Sequence, residues 1–250
     1  MGTPAQPQGF RERLAAGEAL VGTLITLPGC AWAELVAGSF DYVCVDLEHA
    51  ALGAGDLQDA VIGAQAAGAA ALARIPIDSP LLTPALDCGV DGIVAPMVAD
   101  AETACAYVER MRYPQAGSRG FGPRRSLRTS PADPALIAQI ETAAAVEQAA
   151  AIAAVDGVDA LLVGTSDLSF DLGVPLDLEH ERLRVSVAAV RDAAREGGCA
   201  FGLAGRLEPS SLGPDLEGAA SLLALSTDAA LSAAALDGVA AMWRSDLTHG

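Results

Sequence analysis

Short, densely apolar runs alternate with longer stretches of mixed polarity along the whole chain. The short runs read as strands and the longer ones as helices. "VGTLITL" (21–27) is a strand followed by helical "AWAELVAG". The couplet recurs: "YVCVD" (42–46) before "AGDLQDAVIGAQAAG", "AALARI" (70–75) before "SPLLTPALDCG", and "GIVAPMV" (92–98) before "AETACAYVERM". "LIAQIE" (136–141) precedes "TAAAVEQAAAIAAV"; "ALLVG" (160–164) precedes a loop and then "ERLRVSVAAVRDAAREGG". "CAFGLAG" (199–205) and "SLLALS" (221–226) bring the strands to eight.

Three joins share a form, "GSFDYV", "GVDGIV" and "GVDALL", with Gly ending a helix and Asp preceding a strand. Gly suits a helix end because it takes positive φ without strain. Eight strand–helix units predict a (β/α)₈ TIM barrel, a single domain over 1–250 with a short N-terminal helix before the first strand. An open doubly wound sheet is the alternative, and no G-x-G-x-x-G follows the first strand to support it.

Composition narrows the chemistry. The 250-residue chain has no lysine: all 15 of its basic residues are arginine. A Schiff base needs a side-chain amine, so lysine-imine aldolases, internal aldimines of pyridoxal phosphate and Walker A nucleotide sites are excluded. The net charge of -17 disfavours nucleic acid and anionic membrane surfaces as partners. Five cysteines without a C-x-x-C pair argue against a disulfide framework or zinc cluster. No apolar run reaches membrane-spanning length, and "MGTPAQPQGFRERL" lacks an apolar signal core, so the expected location is cytoplasmic.

Barrel active sites lie at the C-terminal ends of the strands, and there the apolar runs end in charge. The second run ends in Asp46, Glu48 and His49, the third in Arg74, the fifth in Gln139 and Glu141; the sixth is followed by "GTSDLS" with Asp167. Glu141 and Asp167 are carboxylates on adjacent strands. With open positions for water they suit a hard divalent cation, Mg²⁺ or Mn²⁺; a glycosidase acid–base pair is the alternative. Arg74 can donate to an oxyanion. His49 is the one histidine at a strand end, His180 and His249 reading as surface residues, and it is the candidate base. Asp87 in "ALDCGVDG" is a candidate to orient it, a pairing spacing alone does not make. "RYPQAGSRGFGPRRS" (112–126) reads as a long loop whose arginines could bind an anionic substrate. "LSFDLG" (168–173) reads as an ordered loop that fixes the direction of Asp167.

Taken in order, "FDYVCVDLEHA", "ARIP", "LDCGVDGIVAPMV", "MRYPQAGSRGFG", "QIET" and "VDGVDALLVGTSDLSFDLG" resemble the successive motifs of the HpcH/HpaI aldolases, metal-dependent class II pyruvate aldolases. The resemblance runs from about Gly22 to Leu225. It implies a homo-oligomeric barrel, hexamer or trimer, with the last helix exchanged between subunits. It makes Glu141 and Asp167 the ligands of Mg²⁺, Mn²⁺ or Co²⁺. Arg74 contacts the keto oxygen of a pyruvyl group, Gln139 helps to hold it, and backbone near Gly164 and Ser166 holds its carboxylate. His49 becomes the base, Asp87 its orienting partner, and Asp46 and Glu48 order water beside the metal. Two departures stand out: "GTSD" where relatives commonly read "GPAD", and a shorter, Pro- and Ser-rich stretch between "RGFG" and "QIET".

The function so implied is reversible aldol cleavage of a 4-hydroxy-2-oxo acid to pyruvate and an aldehyde through a metal-stabilised enolate. The alternatives are oxaloacetate decarboxylation or macrophomate-synthase-like carbon–carbon bond formation with the same enolate, and a non-catalytic barrel that binds an oxo acid.

Overall fold

A computed structural model of the chain describes residues 9–122, 133–205 and 220–248, with side chains through 244. Eight parallel strands close into a barrel in sequence order: β1 (Leu20–Ile25), β2 (Tyr42–Asp46), β3 (Ala70–Arg74), β4 (Gly92–Ala95), β5 (Ala135–Ile140), β6 (Ala160–Gly164), β7 (Ala200–Gly205) and β8 (Leu222–Thr227). The (β/α)₈ expectation holds and the doubly wound alternative does not. Helices α1 (Phe10–Ala15), α2 (Cys30–Ala37), α3 (Ala54–Ala66), α4 (Leu82–Cys88), α5 (Ala101–Met111), α6 (Ala143–Ala153), α7 (Thr165–Asp171), α8 (Glu181–Gly197) and α9 (Asp228–Thr248) complete the described elements.

Strand boundaries follow the apolar runs with small shifts. β4 stops at Ala95 because Pro96 has no N–H for the ladder. The loop expected after β6 is instead the short helix α7. Its buried Thr165, Leu168 and Ser169 stand three and four apart, the helical spacing that Thr, Ser and Asp, common in turns, had obscured.

Side chains along a strand alternate between the barrel interior and the helix-facing layer. Leu20, Tyr42, Cys44, Leu72, Val94, Ile137, Leu162 and Leu222 form the inner set, closed at one end by Phe10 and Leu14 of α1. Val43, Val45, Ala71, Ala73, Ile93, Leu136, Ala138, Leu161 and Val163 pack outward against the helices. Tyr42 fills the interior because Gly22 faces it: a Cβ there would lie 2.5 Å from the ring.

The three Gly–Asp joins have a second function. Asp41, Asp91 and Asp159 accept the first free N–H of the preceding strand, from Val21 (3.0 Å), Ala71 (2.9 Å) and Leu136 (2.9 Å). Each Asp N–H donates back to the same residue's carbonyl. The expected positive φ is present at Gly89 and Gly157; Gly38 has φ -60 instead.

Candidate active site

The inner set changes character toward the C-terminal ends of the strands. Two residues beyond Cys44 comes Asp46, two beyond Leu72 comes Arg74, two beyond Ile137 comes Gln139, and two more give Glu141. Strand periodicity therefore aims all four into one mouth. All four are buried.

Arg74 lies opposite Asp46 in the β2–β3 register. Its Nε and Nη2 donate to Asp46 Oδ1 (3.0 Å) and Oδ2 (2.8 Å), a bidentate pair. Asp46 Oδ1 also accepts from the Glu48 and His49 N–H groups, shaping the turn after β2. Burial pushes the Asp46 carboxyl up, but the Arg74 hydrogen bonds and charge outweigh it and hold it below the usual range.

Glu48 lies 3.4 Å from Arg74 Nε and 3.6 Å from His49 Nε2, yet its buried Oε2 has no hydrogen-bond partner. Burial raises its pKa, with Asp46 and Asp167 adding to the rise against Arg74 and His49. The His49 side chain is 63% exposed, open to a substrate at the mouth.

Glu141 is fixed at both oxygens. Gln139 Nε2 donates to Oε1 and the Met97 N–H to Oε2, both at 2.8 Å. Burial, reinforced by the charges of Glu48 and Asp167, pushes its pKa up to about 7. Gly164 lies against it, since a Cβ there would be 2.7 Å from Glu141 Oε1. Gln139 Oε1 is buried without a partner. Asp167 stands exposed in the first turn of α7, and Gly164 and Ser166 are at the start of that helix, where N–H groups have no intrahelical partner.

Asp87 is not joined to His49 within the chain. It accepts from Arg119 Nη2 at 3.3 Å, and Arg119 also stacks 4.5 Å from the Tyr113 ring centre. Arg112 donates to the Pro134 carbonyl and lies 3.7 Å from Asp133. These two arginines of the expected anion-binding loop therefore have internal partners; residues 123–126 of that loop, and most of the shortened Pro- and Ser-rich stretch, lie outside the described residues. His180 caps α8, accepting from the Arg182 N–H.

Met97 was not legible as a site residue. It adopts φ 53, and a backbone donor leaves no mark in a sequence. The nearest signal was Pro96, which ends β4 and turns the chain.

The mouth holds more negative charge than it neutralises. Arg74 is bonded by Asp46 and approached by Glu48; burial first, and neighbouring carboxylates second, raise Glu48 and Glu141. Among the described residues no group of three or more His, Cys, Asp or Glu forms a closed metal cage. Two carboxylates leave positions for water and substrate, which suits a hard cation such as Mg²⁺.

A (β/α)₈ barrel with an open, carboxylate-rich mouth at the strand ends defines an enzyme of the barrel class. Comparison with known proteins goes further. Residues 31–209 match the family described as HpcH/HpaI aldolase/citrate lyase. A 4-hydroxy-2-oxovalerate aldolase of Rhodococcus jostii is 32% identical over 209 residues, covering 78% of this chain and 80% of its own. A 2-keto-3-deoxy-L-rhamnonate aldolase of Klebsiella pneumoniae is 32% identical over 256 residues, covering 95% and 93%. The crystal structure of an HpcH/HpaI aldolase from Desulfitobacterium hafniense aligns with a TM-score of 0.84 and 31% identity, covering 94% of this chain and 97% of that one. The chain belongs to the HpcH/HpaI aldolase/citrate lyase family and is a carbon–carbon lyase.

Proposed function

We propose that the protein catalyses reversible aldol cleavage of a 4-hydroxy-2-oxo acid to pyruvate and an aldehyde, with a divalent cation held by Glu141 and Asp167. The observation that carries it is the placing of two carboxylates at one mouth: Glu141, buried and held at both oxygens by Gln139 and the Met97 N–H, and Asp167, exposed in the first turn of α7. All donors there are hard oxygens, which favours Mg²⁺ or Mn²⁺, with Co²⁺ as an alternative. When bound, the cation supplies Lewis-acid stabilisation of the charge that develops on the 2-oxo oxygen.

The chain's own groups complete the chemistry. Asp46 occupies one edge of the Arg74 fork, so the Nη1 edge remains to donate to the 2-oxo oxygen as it gains charge. Gln139 is fixed by Glu141 and offers its free Oε1 toward the bound acid or an ordered water. The Gly164–Ser166 turn, with N–H groups at the start of α7, receives the substrate carboxylate. His49 takes the proton of the 4-hydroxyl; the C3–C4 bond breaks, its electron pair moves to C3 and the 2-oxo carbon, and the aldehyde departs. The proton then returns to C3, giving pyruvate. Glu48, close to both Arg74 and His49, stabilises the protonated imidazole, and Asp46 with Glu48 orders water beside the cation site. Asp87 has Arg119 as partner within the chain; orienting His49 would require it to approach from another subunit.

The exposed face of α9 supports a homo-oligomer. α9 bears Leu236, Val239, Met242 and Trp243, each more than half exposed, and a second copy would cover them. No helix among the described residues is long and apolar enough to cross a membrane.

The test is pyruvate release from 4-hydroxy-2-oxo acids such as 4-hydroxy-2-oxovalerate, with Mn²⁺ or Mg²⁺ and then with chelator. Metal-dependent release that is lost in Arg74→Ala is expected. Release undiminished by chelator would overturn the reading.

A further inference from the structure

We propose that Asp171 is a positioning residue that sets the separation between Glu141 and Asp167; the inference rests on the assignment of those two as metal ligands. The two carboxylates are held very differently. Glu141 follows β5 directly and is anchored through both oxygens by Gln139 and the Met97 N–H. Asp167 is exposed on α7, a helix of only 7 residues. A helix that short has no stability of its own, so its position comes from what fastens it.

Leu168 packs α7 into the core, and among the described residues three side chains of this helix add hydrogen bonds. Thr165 Oγ1 donates to the Ala204 carbonyl of β7 at 2.9 Å. Ser169 Oγ donates to the Ser166 carbonyl and accepts from the Leu176 N–H, which tightens the helix and the turn after it. Asp171 Oδ2 accepts from the Ala143 N–H at 2.7 Å. Among the described residues, this last is the side-chain hydrogen bond that ties α7 to the segment carrying Glu141. Ala143 is two residues past Glu141 and opens α6; Asp171 is four residues past Asp167, one turn along the same helix face. Thr142 serves a different donor of that turn, the Ala145 N–H, so Asp171 takes an N–H that α6 cannot satisfy itself.

The joint between β6 and α7 makes the tether consequential. Gly164 is pressed against Glu141, with no room for a Cβ. Thr165 and Leu168 hold the start of α7 on the barrel, so a small tilt of its far end about that joint shifts Asp167 relative to Glu141. Asp171 is exposed, so its hydrogen bond contributes little to folding. Its effect falls on the geometry offered to the cation, where outer partners of a ligand matter.

The test is a Mn²⁺ titration, free Mn²⁺ being read by its paramagnetic resonance signal, on the full chain and on Asp171→Ala, Asp171→Asn and Glu141→Ala. Thermal unfolding in chelator accompanies each. Asp171→Ala should lose about fivefold or more in Mn²⁺ affinity with an unchanged unfolding midpoint. Asp171→Asn keeps an acceptor oxygen and removes the charge, and should retain wild-type affinity. Wild-type affinity in Asp171→Ala would overturn the proposal, as would an Asn variant as weak as Ala, which would make the charge and not the tether responsible. Wild-type affinity in Glu141→Ala would overturn the ligand assignment itself, independently of Asp171.

Discussion

Glu141 and Asp46 illustrate opposite fates of a buried carboxylate. Asp46 has a cation in hydrogen-bond contact, which holds its carboxyl below the usual range; burial, with carboxylate neighbours adding to it, pushes Glu141 up to about 7. Their linkage to stability has opposite sign. The contribution of Asp46 is fully present above the unfolded aspartate value and is lost as pH falls through its depressed native value. Glu141 binds its proton more tightly in the native state, so between the unfolded glutamate value and about 7 the metal-free protein loses stability as pH rises. The loss is about 2 kcal/mol across that window. Urea unfolding in chelator at the two ends of it should show the loss in the wild type and its absence in Glu141→Gln. A wild-type slope retained in the variant would place the titration elsewhere. The strand-end charges were legible because period-two alternation fixes which residues face inward. Met97 and the Asp87–Arg119 pair were not, since one acts through its backbone and the other depends on a distant return of the chain.

At the scale of elements, the recurring Gly–Asp join was visible as a pattern, but its strand-capping hydrogen bonds emerge only when the preceding strand lies beside it. α7 was read as a loop because its 7 residues offer about two turns of periodicity and its Thr, Ser and Asp are common in turns. Contact between α2 and α3 was equally hidden. Gly63 of α3 comes so near the α2 backbone that a Cβ would lie 2.2 Å from the Cys30 carbonyl oxygen, whereas Gly55 of the same helix has open space. Gly63→Ala should therefore destabilise by about 1–3 kcal/mol, and Gly55→Ala should stabilise by about 0.5 kcal/mol. Denaturant midpoints of the two variants check this pair; equal effects would mean that helix propensity alone governs both sites.

For the whole molecule, the described residues bury the inner apolar set of the barrel, while they leave an apolar stripe of α9 exposed. Leu236, Val239 and Trp243 recur at helical spacing on it and are 70%, 55% and 60% exposed. Such a stripe supports the proposed homo-oligomer, in which α9 would pack on a second copy. Replacing Leu236 and Trp243 together by Glu should lower the mass in sedimentation equilibrium to that of a smaller species with the barrel still folded. An unchanged mass would remove α9 from the subunit interface. If the mouth is completed across that interface, the same variant should also lose turnover.

We propose that the mouth generates a pyruvate enolate with a divalent cation at Glu141 and Asp167. The most direct measurement follows the exchange of pyruvate methyl protons with deuterated water by NMR, with Mg²⁺ and then with chelator, in wild type and in Glu141→Ala. Exchange that requires the metal and disappears in the variant is the predicted result. Folded wild-type protein that shows no exchange with Mg²⁺, Mn²⁺ or Co²⁺, or exchange that survives Glu141→Ala, would contradict it.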